Sequence, residues 1–483
     1  MNACFKRIGA ALCAAALALS LAACGGTQAA SSTNTAAQPV SITVWNYYNG
    51  DQLECFNKLV EEFNATVGKE QNITVTSESQ GSVNDLETNV LAAAEGKVGA
   101  AALPNIFSAY ADTCYAVDQM GLLADLSGYL TEEEKAAYLD SYLTEGDFDD
   151  NGSIKIFPVA KSTEILCLNE TDWEPFAAAT GAGYDDLSTV EGLVATAQKY
   201  YEWTDAQTAV PDDGKALFGR DAMANYLLIG AKELGESIFD VQQGRMTVEL
   251  SEQTARKLWD NYYVPFVKGW FAAIGRFRSD DIKTGNILCY VGSSSSATFF
   301  PKQVMTSDTE SHDIRMKALP CPTFADGSSV SVQQGAGMAV TNGSEAEVKA
   351  SVAFLKWMTQ PEQNIRFAVG SGYLPVTHAA NNMEAIEASG LEMTDAVRDI
   401  LTIATDEVES NELYTTKAFA GGAAARKVLE YDLSDKAAAD RAAVEQRIAA
   451  GESAADAQAE FLTDEAFAAW YQGLLGQLKA YEG

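Results

Sequence analysis

Histidine is almost absent: His312 and His378 are the two in 483 residues. No H-E-x-x-H, P-loop or G-x-S-x-G pattern occurs, so zinc hydrolysis, nucleotide hydrolysis at a P-loop and Ser–His chemistry are all poorly supported. "GAGM" at 335–338 lacks the third glycine of a dinucleotide loop. Basic residues are also scarce, 33 Lys and Arg against 67 Asp and Glu, for a formal charge of −34. Such a field repels nucleic acid and anionic lipid surfaces, and its plainest use is solubility. None of the eight cysteines forms a C-x-x-C pair, which argues against a metal or disulfide framework. A two-carboxylate hydrolase is not excluded this way, because acidic residues are abundant.

Long apolar runs are missing as well, with one instructive exception. Residues 8–23, "IGAALCAAALALSLAA", are uncharged and follow Lys6 and Arg7. As a helix these 16 residues reach only ~24 Å, short of a ~30 Å hydrocarbon core. A basic start before such a run reads as an export signal. It leads into Leu21-Ala22-Ala23-Cys24, which resembles the bacterial lipobox, so Cys24 is the expected lipidation site, carrying thioether-linked diacylglycerol of the palmitate type. Two chains suffice for a stable anchor. Residues 24–39 are rich in Gly, Ser, Thr, Ala and Gln, and read as a flexible tether after a signal at 1–23. Beyond Cys24, Cys55, Cys114, Cys167, Cys289 and Cys321 mostly sit beside apolar residues and are expected to be free, buried thiols.

What is present is alternation. "SITVWNYY" (41–48) reads as a strand, 50–66 as a helix with Leu53, Phe56, Leu59, Val60 and Phe63 on one face, and "NITVTSES" as a strand. A helix over 82–97 and a strand over 103–110 follow. This order predicts a doubly wound α/β domain with its ligand at the carboxyl ends of the strands. Extended, proline-broken segments near 158, 320 and 372 are where the chain could pass between two lobes. Ser344 with Glu347 is a capping box opening the helix 344–359, and 384–483 is alanine-rich and helical.

"ITVWNYYNG", "GLLADLSGYL", "FPVAKSTEILCLNET", "GAGMAVTNGSEAEVKASVAFLKWMTQPE" and "GYLPVT" occur in this order after the lipobox. Together they resemble the extracellular solute-binding proteins of ATP-driven (ABC) importers, of the maltose-binding and glycerol-3-phosphate-binding type. The resemblance spans nearly all of residues 40–480. It implies an α/β, two-lobed periplasmic-binding-protein-like fold with three interlobe crossings, a ligand cleft at the hinge, and closure on the solute. Lobe 1 would comprise 40–158 and 321–372, lobe 2 159–320 and 373–483. The resemblance implies no catalysis and no cofactor or metal. Its partners would be a small-molecule solute and the permease subunits, with the membrane met only through the lipid, at the extracellular face of a bacterial cell. A monomer that binds no nucleic acid is expected.

The same resemblance carries over to particular residues. Trp45, Asn46 and Tyr47 match the first-strand tip that contacts ligand, although Trp45 also suits a core. Asp112 matches an acidic position that accepts solute hydroxyls. Ser162 matches a serine of the glycerol-phosphate type, and Ser294 and Ser295 match its serine-rich loop. Gly335 and Gly337 would expose backbone N–H groups. Tyr373 matches a ligand-facing tyrosine, and Arg426 an arginine able to reach a phosphate. Two departures count: the tryptophan pair of the glycerol-phosphate type and the charged pair of the maltose type are both missing. Trp173, Trp203, Trp259 and Trp270 could stack on a sugar face or fill a core. The expected solute is a carbohydrate; glycerol-3-phosphate or another polyol phosphate is the alternative, and an anchored glycosidase a more distant one.

Overall fold

The computed structural model describes residues 38–483 apart from Gln243, Thr306 and Asp308; the signal, Cys24 and most of the tether lie outside the described residues. Two four-stranded sheets organise the chain. The first uses β1 (Val40–Asn46), β2 (Ile73–Ser79) and β3 (Ile106–Ala109), all parallel. The second uses β4 (Glu164–Asn169), β5 (Phe218–Arg220), β6 (Cys289–Ser293) and β7 (Met316–Pro320), in the order β7-β4-β6-β5. A late strand, β8 (Gly337–Val340), returns to the first sheet antiparallel to β3, giving β8-β3-β1-β2. The inner strands are buried on both faces, every residue of β3 and β4 among them, as is every residue of β8, while the edge strand β2 exposes alternate residues.

Local chemistry accounts for the elements around the first sheet. The helix α1 (Gly50–Ala65) buries Phe56, Leu59, Val60 and Phe63, four of the five residues expected on its apolar face. Ser82 caps α2 (Val83–Ala94) by accepting the Asp85 N–H. In the helix Glu345–Met358 the capping box is complete: Ser344 accepts the Glu347 N–H, and Glu347 accepts the Ser344 N–H. Phe63 lies edge-on to Phe354 and Trp357 between that helix and α1.

The second core is more aromatic. Trp259 stacks on Tyr263 with ring centroids 3.6 Å apart, and Trp470 lies beside it. Trp173 and Trp259 are buried in this core, and Trp203 and Trp270 pack against it. All five cysteines of the described residues are free thiols; Cys114, Cys167 and Cys289 are buried. No helix among the described residues is long and apolar enough to cross a membrane.

The chain passes between the sheets three times, and the passages touch. Lys161 exchanges both backbone hydrogen bonds with Leu374, and Ser162 does the same with Gln334. The crossing at 161–162 is therefore the middle ply of three. Its Lys161 ammonium is fully buried, paired with Glu145 and donating to the Gly335 carbonyl at 2.9 Å.

Candidate ligand-binding site

The carboxyl ends of β3 and β5 lead into one gap, which Tyr110 after β3 and Ala222 after β5 both line. From the first lobe, α2 and α3 (Ala111–Gln119) enter it with Asn84, Glu87 and Asp112. From the second lobe come the start of α4 (Met223–Glu233) and the first turns of α5 (Gly422–Ala449). Between them lies a cavity of about 380 Å³, floored by Gln333, Gln334 and Glu145. Tyr110, Phe239, Tyr414, Phe419 and Tyr431 supply its apolar surface.

The second-lobe wall is a connected network. Arg426 donates to Asn225 Oδ1, and Asn225 donates to Glu164 Oε1 at 2.8 Å and to Gln334 Oε1 at 3.2 Å. Arg220 pairs with Glu164 and lies over the Tyr226 ring, 5.5 Å from its centroid. Glu430 accepts the Ala224 N–H at 2.9 Å. Burial raises the Glu164 carboxyl, against the pull of Arg220.

The first-lobe wall is looser. Among the described residues the Asp112 carboxylate makes no side-chain hydrogen bond or ion pair. Burial pushes its pKa up to about 6, opposed by the charge of Arg426 and reinforced by Glu87. The Glu87 carboxyl is also raised by burial. Asp112 and α5 nearly touch: a Cβ on Gly422 would collide with the Asp112 carboxylate. Gly421, with φ +84°, turns the chain into that helix, so the Gly421-Gly422 pair permits both the turn and the close approach.

Of the eleven candidate residues, the cavity gathers Asp112 and Arg426. Tyr47 and Tyr373 do not line it; they meet hydroxyl to hydroxyl at 3.1 Å, both buried. Ser295 bonds to Ser293 at 3.0 Å. The Ser294 hydroxyl is buried without a partner, and so is that of Thr163, whose carbonyl accepts the Ser294 N–H. Trp45 and Asn46 are held inside the first sheet, by Glu78 at 2.9 Å and Ser77 at 3.0 Å. Ser162 is spent on the crossing through its backbone.

The two glycines have packing reasons rather than exposed N–H groups. A Cβ at Gly335 would come within 2.9 Å of Lys161 Cα, and one at Gly337 would strike Ile156. No tryptophan lines the cavity. Glu87, Glu145, Asn225, Gln334 and Glu430 escaped sequence reasoning. Only the Gly421-Gly422 pair ahead of the alanine-rich helix signals a close approach. Among the described residues, no group of three or more His, Cys, Asp or Glu side chains could hold a metal ion.

A sequence profile of bacterial extracellular solute-binding proteins matches residues 58–394. No curated relative matches the chain in sequence. Among solved structures, it is similar to the cyclic α-maltosyl-1,6-maltose binding protein of Arthrobacter globiformis, with a TM-score of 0.65 at 17% identity, covering 92% of this chain and 100% of that one. UgpB of Mycobacterium tuberculosis in complex with glycerophosphocholine gives 0.64 at 19%, covering 91% and 98%. The maltose/maltodextrin-binding domain MalE of Bdellovibrio bacteriovorus bound to maltotriose gives 0.60 at 14%, covering 90% and 99%.

Proposed function

The chain belongs to the bacterial extracellular solute-binding proteins, and from that premise we propose that it captures a carbohydrate between its two lobes for an ABC importer. The lobes are drawn as 40–158 with 321–372, and 159–320 with 373–483. Loaded and closed, the protein presents its solute to the permease and does no chemistry on it. It works as a monomer held by lipid on Cys24 at the outer face of the cell membrane. The lipobox Leu21-Ala22-Ala23-Cys24 and the polar tether support the anchor.

One observation carries the choice of solute. The cavity is lined by aromatic rings together with four carboxylates, Glu87, Asp112, Glu145 and Glu430, against two cations, Arg426 and Lys427. Carboxylates accept sugar hydroxyls, and ring faces suit sugar C–H faces. A phosphate would meet an acidic majority, and the guanidinium best placed for it is already bonded to Asn225. Arg426 still supports a polyol phosphate as the second reading, since a guanidinium forks well onto phosphate oxygens.

Calorimetric titration with matched sugars and sugar phosphates separates the two. A neutral sugar should bind, and Asp112→Ala should weaken it more than Arg426→Ala. Tighter binding of the phosphorylated partner, with Arg426→Ala costing ~2–5 kcal/mol as loss of one member of a buried charge pair does, would replace the carbohydrate reading. Product release from a bound oligosaccharide would move the protein to the glycosidases.

A further inference from the structure

The charges around the cavity do not balance. Glu145 is spent on the buried Lys161, and Glu164, behind Asn225, on Arg220. That leaves Glu87, Asp112 and Glu430 against Arg426 and Lys427. One negative charge is left over, and the contacts show where it sits. Glu430 accepts the Ala224 N–H at 2.9 Å, at the positive end of α4. Burial raises the Glu87 carboxyl, but Thr113 and the charge of Lys427 ease it. Asp112 has the least relief. Among the described residues no side chain bonds to it, and the Arg426 guanidinium, whose charge reaches it, is bonded to Asn225.

An unbalanced carboxylate in a closing cleft is costly, because closure removes the water that served it. A neutral sugar hydroxyl supplies a hydrogen bond but no charge, and a phosphate adds to the excess. A metal ion needs several ligating side chains at once, and the described residues bring no such group of His, Cys, Asp or Glu together. A protonated amine supplies both donors and the missing charge, and hydrogen bonds between charged groups are the stronger ones. The rings suit it as well. Tyr110 immediately precedes the helix of Asp112, and Tyr431 lines the cavity from α5 while 56% exposed, so aromatic surface borders the cavity from both lobes. Ring faces attract cations.

We propose that the solute is an amino sugar carrying one protonated amine, and that its ammonium docks against Asp112. This rests on the carbohydrate reading above and adds a charge to it. Arg426 and Lys427, both on α5, repel an ammonium and so confine it to the wall of α2 and α3.

The test is calorimetric titration of the full chain at pH 7 with glucosamine, galactosamine and mannosamine, each beside its neutral parent sugar and its N-acetyl derivative, as monosaccharides and as disaccharides carrying one amine. In the wild type an amine should bind about tenfold or more tighter than its neutral and acetylated partners, the gain expected of a hydrogen bond between charged groups. Asp112→Asn keeps the shape and removes the charge, and should bring the three forms within about twofold of one another. Only an ionised carboxylate holds a cation, so the wild-type preference should fade as the pH falls through about 6. Neutral sugars that bind as tightly as their amines, or an amine preference that survives in Asp112→Asn, overturn the proposal and leave the carbohydrate reading standing. Silence of every amine overturns it too. Failure of every sugar, amine and neutral, with a sugar phosphate binding instead, overturns both.

Discussion

The two walls of the cleft have the same job and opposite construction. On the second lobe, Arg220, Glu164, Asn225 and Arg426 hold one another in a line of short contacts, and Asn225 also donates to Gln334 at the cavity floor. On the first lobe, Asp112 stands with no side-chain partner and a raised pKa, facing the turn of α5. The first arrangement is set before a solute arrives, whereas the second costs energy until something satisfies it. Pre-organised groups recognise, and strained or unsatisfied groups reward closure. On the proposed reading, the second wall is the one set in advance for a solute, and the first is the one that a solute would satisfy.

The comparison is broken most directly at Arg220. Arg220→Leu strands the Glu164 charge in the interior and should cost ~3–5 kcal/mol of folding stability. Urea denaturation at pH 7 checks this, and Asp112→Asn on the opposite wall should cost nothing there. A loss under ~1 kcal/mol for Arg220→Leu would show that the second wall is no more fixed than the first.

Closure is tested at Gly422. Gly422→Ala drives a methyl into the Asp112 carboxylate, and overpacking of this kind typically costs ~1–3 kcal/mol. Because the clash exists only where the lobes meet, the loss should appear in solute affinity rather than in the urea midpoint. Adding Asp112→Ala should restore part of it, as a double-mutant cycle reads.

The smaller effect is in pH. Asp112 has a folded pKa of about 6, above the ordinary ~3.9 of an aspartate. A raised carboxyl favours the protonated form in the folded chain, so stability is fullest below about pH 4 and falls as pH rises through about 6. Asp221, Glu407 and Glu233 titrate in the same direction, near 6, 7 and 8, so the wild-type curve is a composite. The difference between Asp112→Asn and wild type isolates one group. The variant should match wild type near pH 4 and exceed it by about 1 kcal/mol near pH 7, after discounting for solvent screening. A difference that does not change with pH would remove Asp112 from this account.

The smallest expected effect lies away from the cleft and calibrates the rest. Ser344→Ala removes a complete capping box and should cost ~1 kcal/mol of stability, with no change in solute affinity.

The contrast between the walls also marks what could be read in the chain alone. The strand–helix alternation over 40–109, the face of α1 and the Ser344–Glu347 cap are products of neighbours three or four residues apart, and all are present as expected. The crossings expected near 158 and 372 lie beside the plies at 161–162 and 374, whereas Pro320, expected at the remaining crossing, still belongs to β7 of the second sheet and the ply there is Gln334. The site was legible only in part. Asn225 joins Arg426 across 201 positions, and nothing in "DAMANY" announces it. Glu145 is one more acid among 67 until the fold sets it against Lys161. The tryptophans illustrate the same limit: an aromatic that fills a core and one that faces a sugar are written alike, and Trp259 fills a core.

The joint between the lobes has a mechanical consequence. Its middle ply at Lys161 and Ser162 is bonded on one side to Leu374 and on the other to Gln334, with the Lys161 ammonium pinned to Gly335 below. Three strands laminated in this way resist sliding past one another but yield to bending. The joint is a leaf spring rather than a pin: opening and closing must spread a small change over all three plies at once.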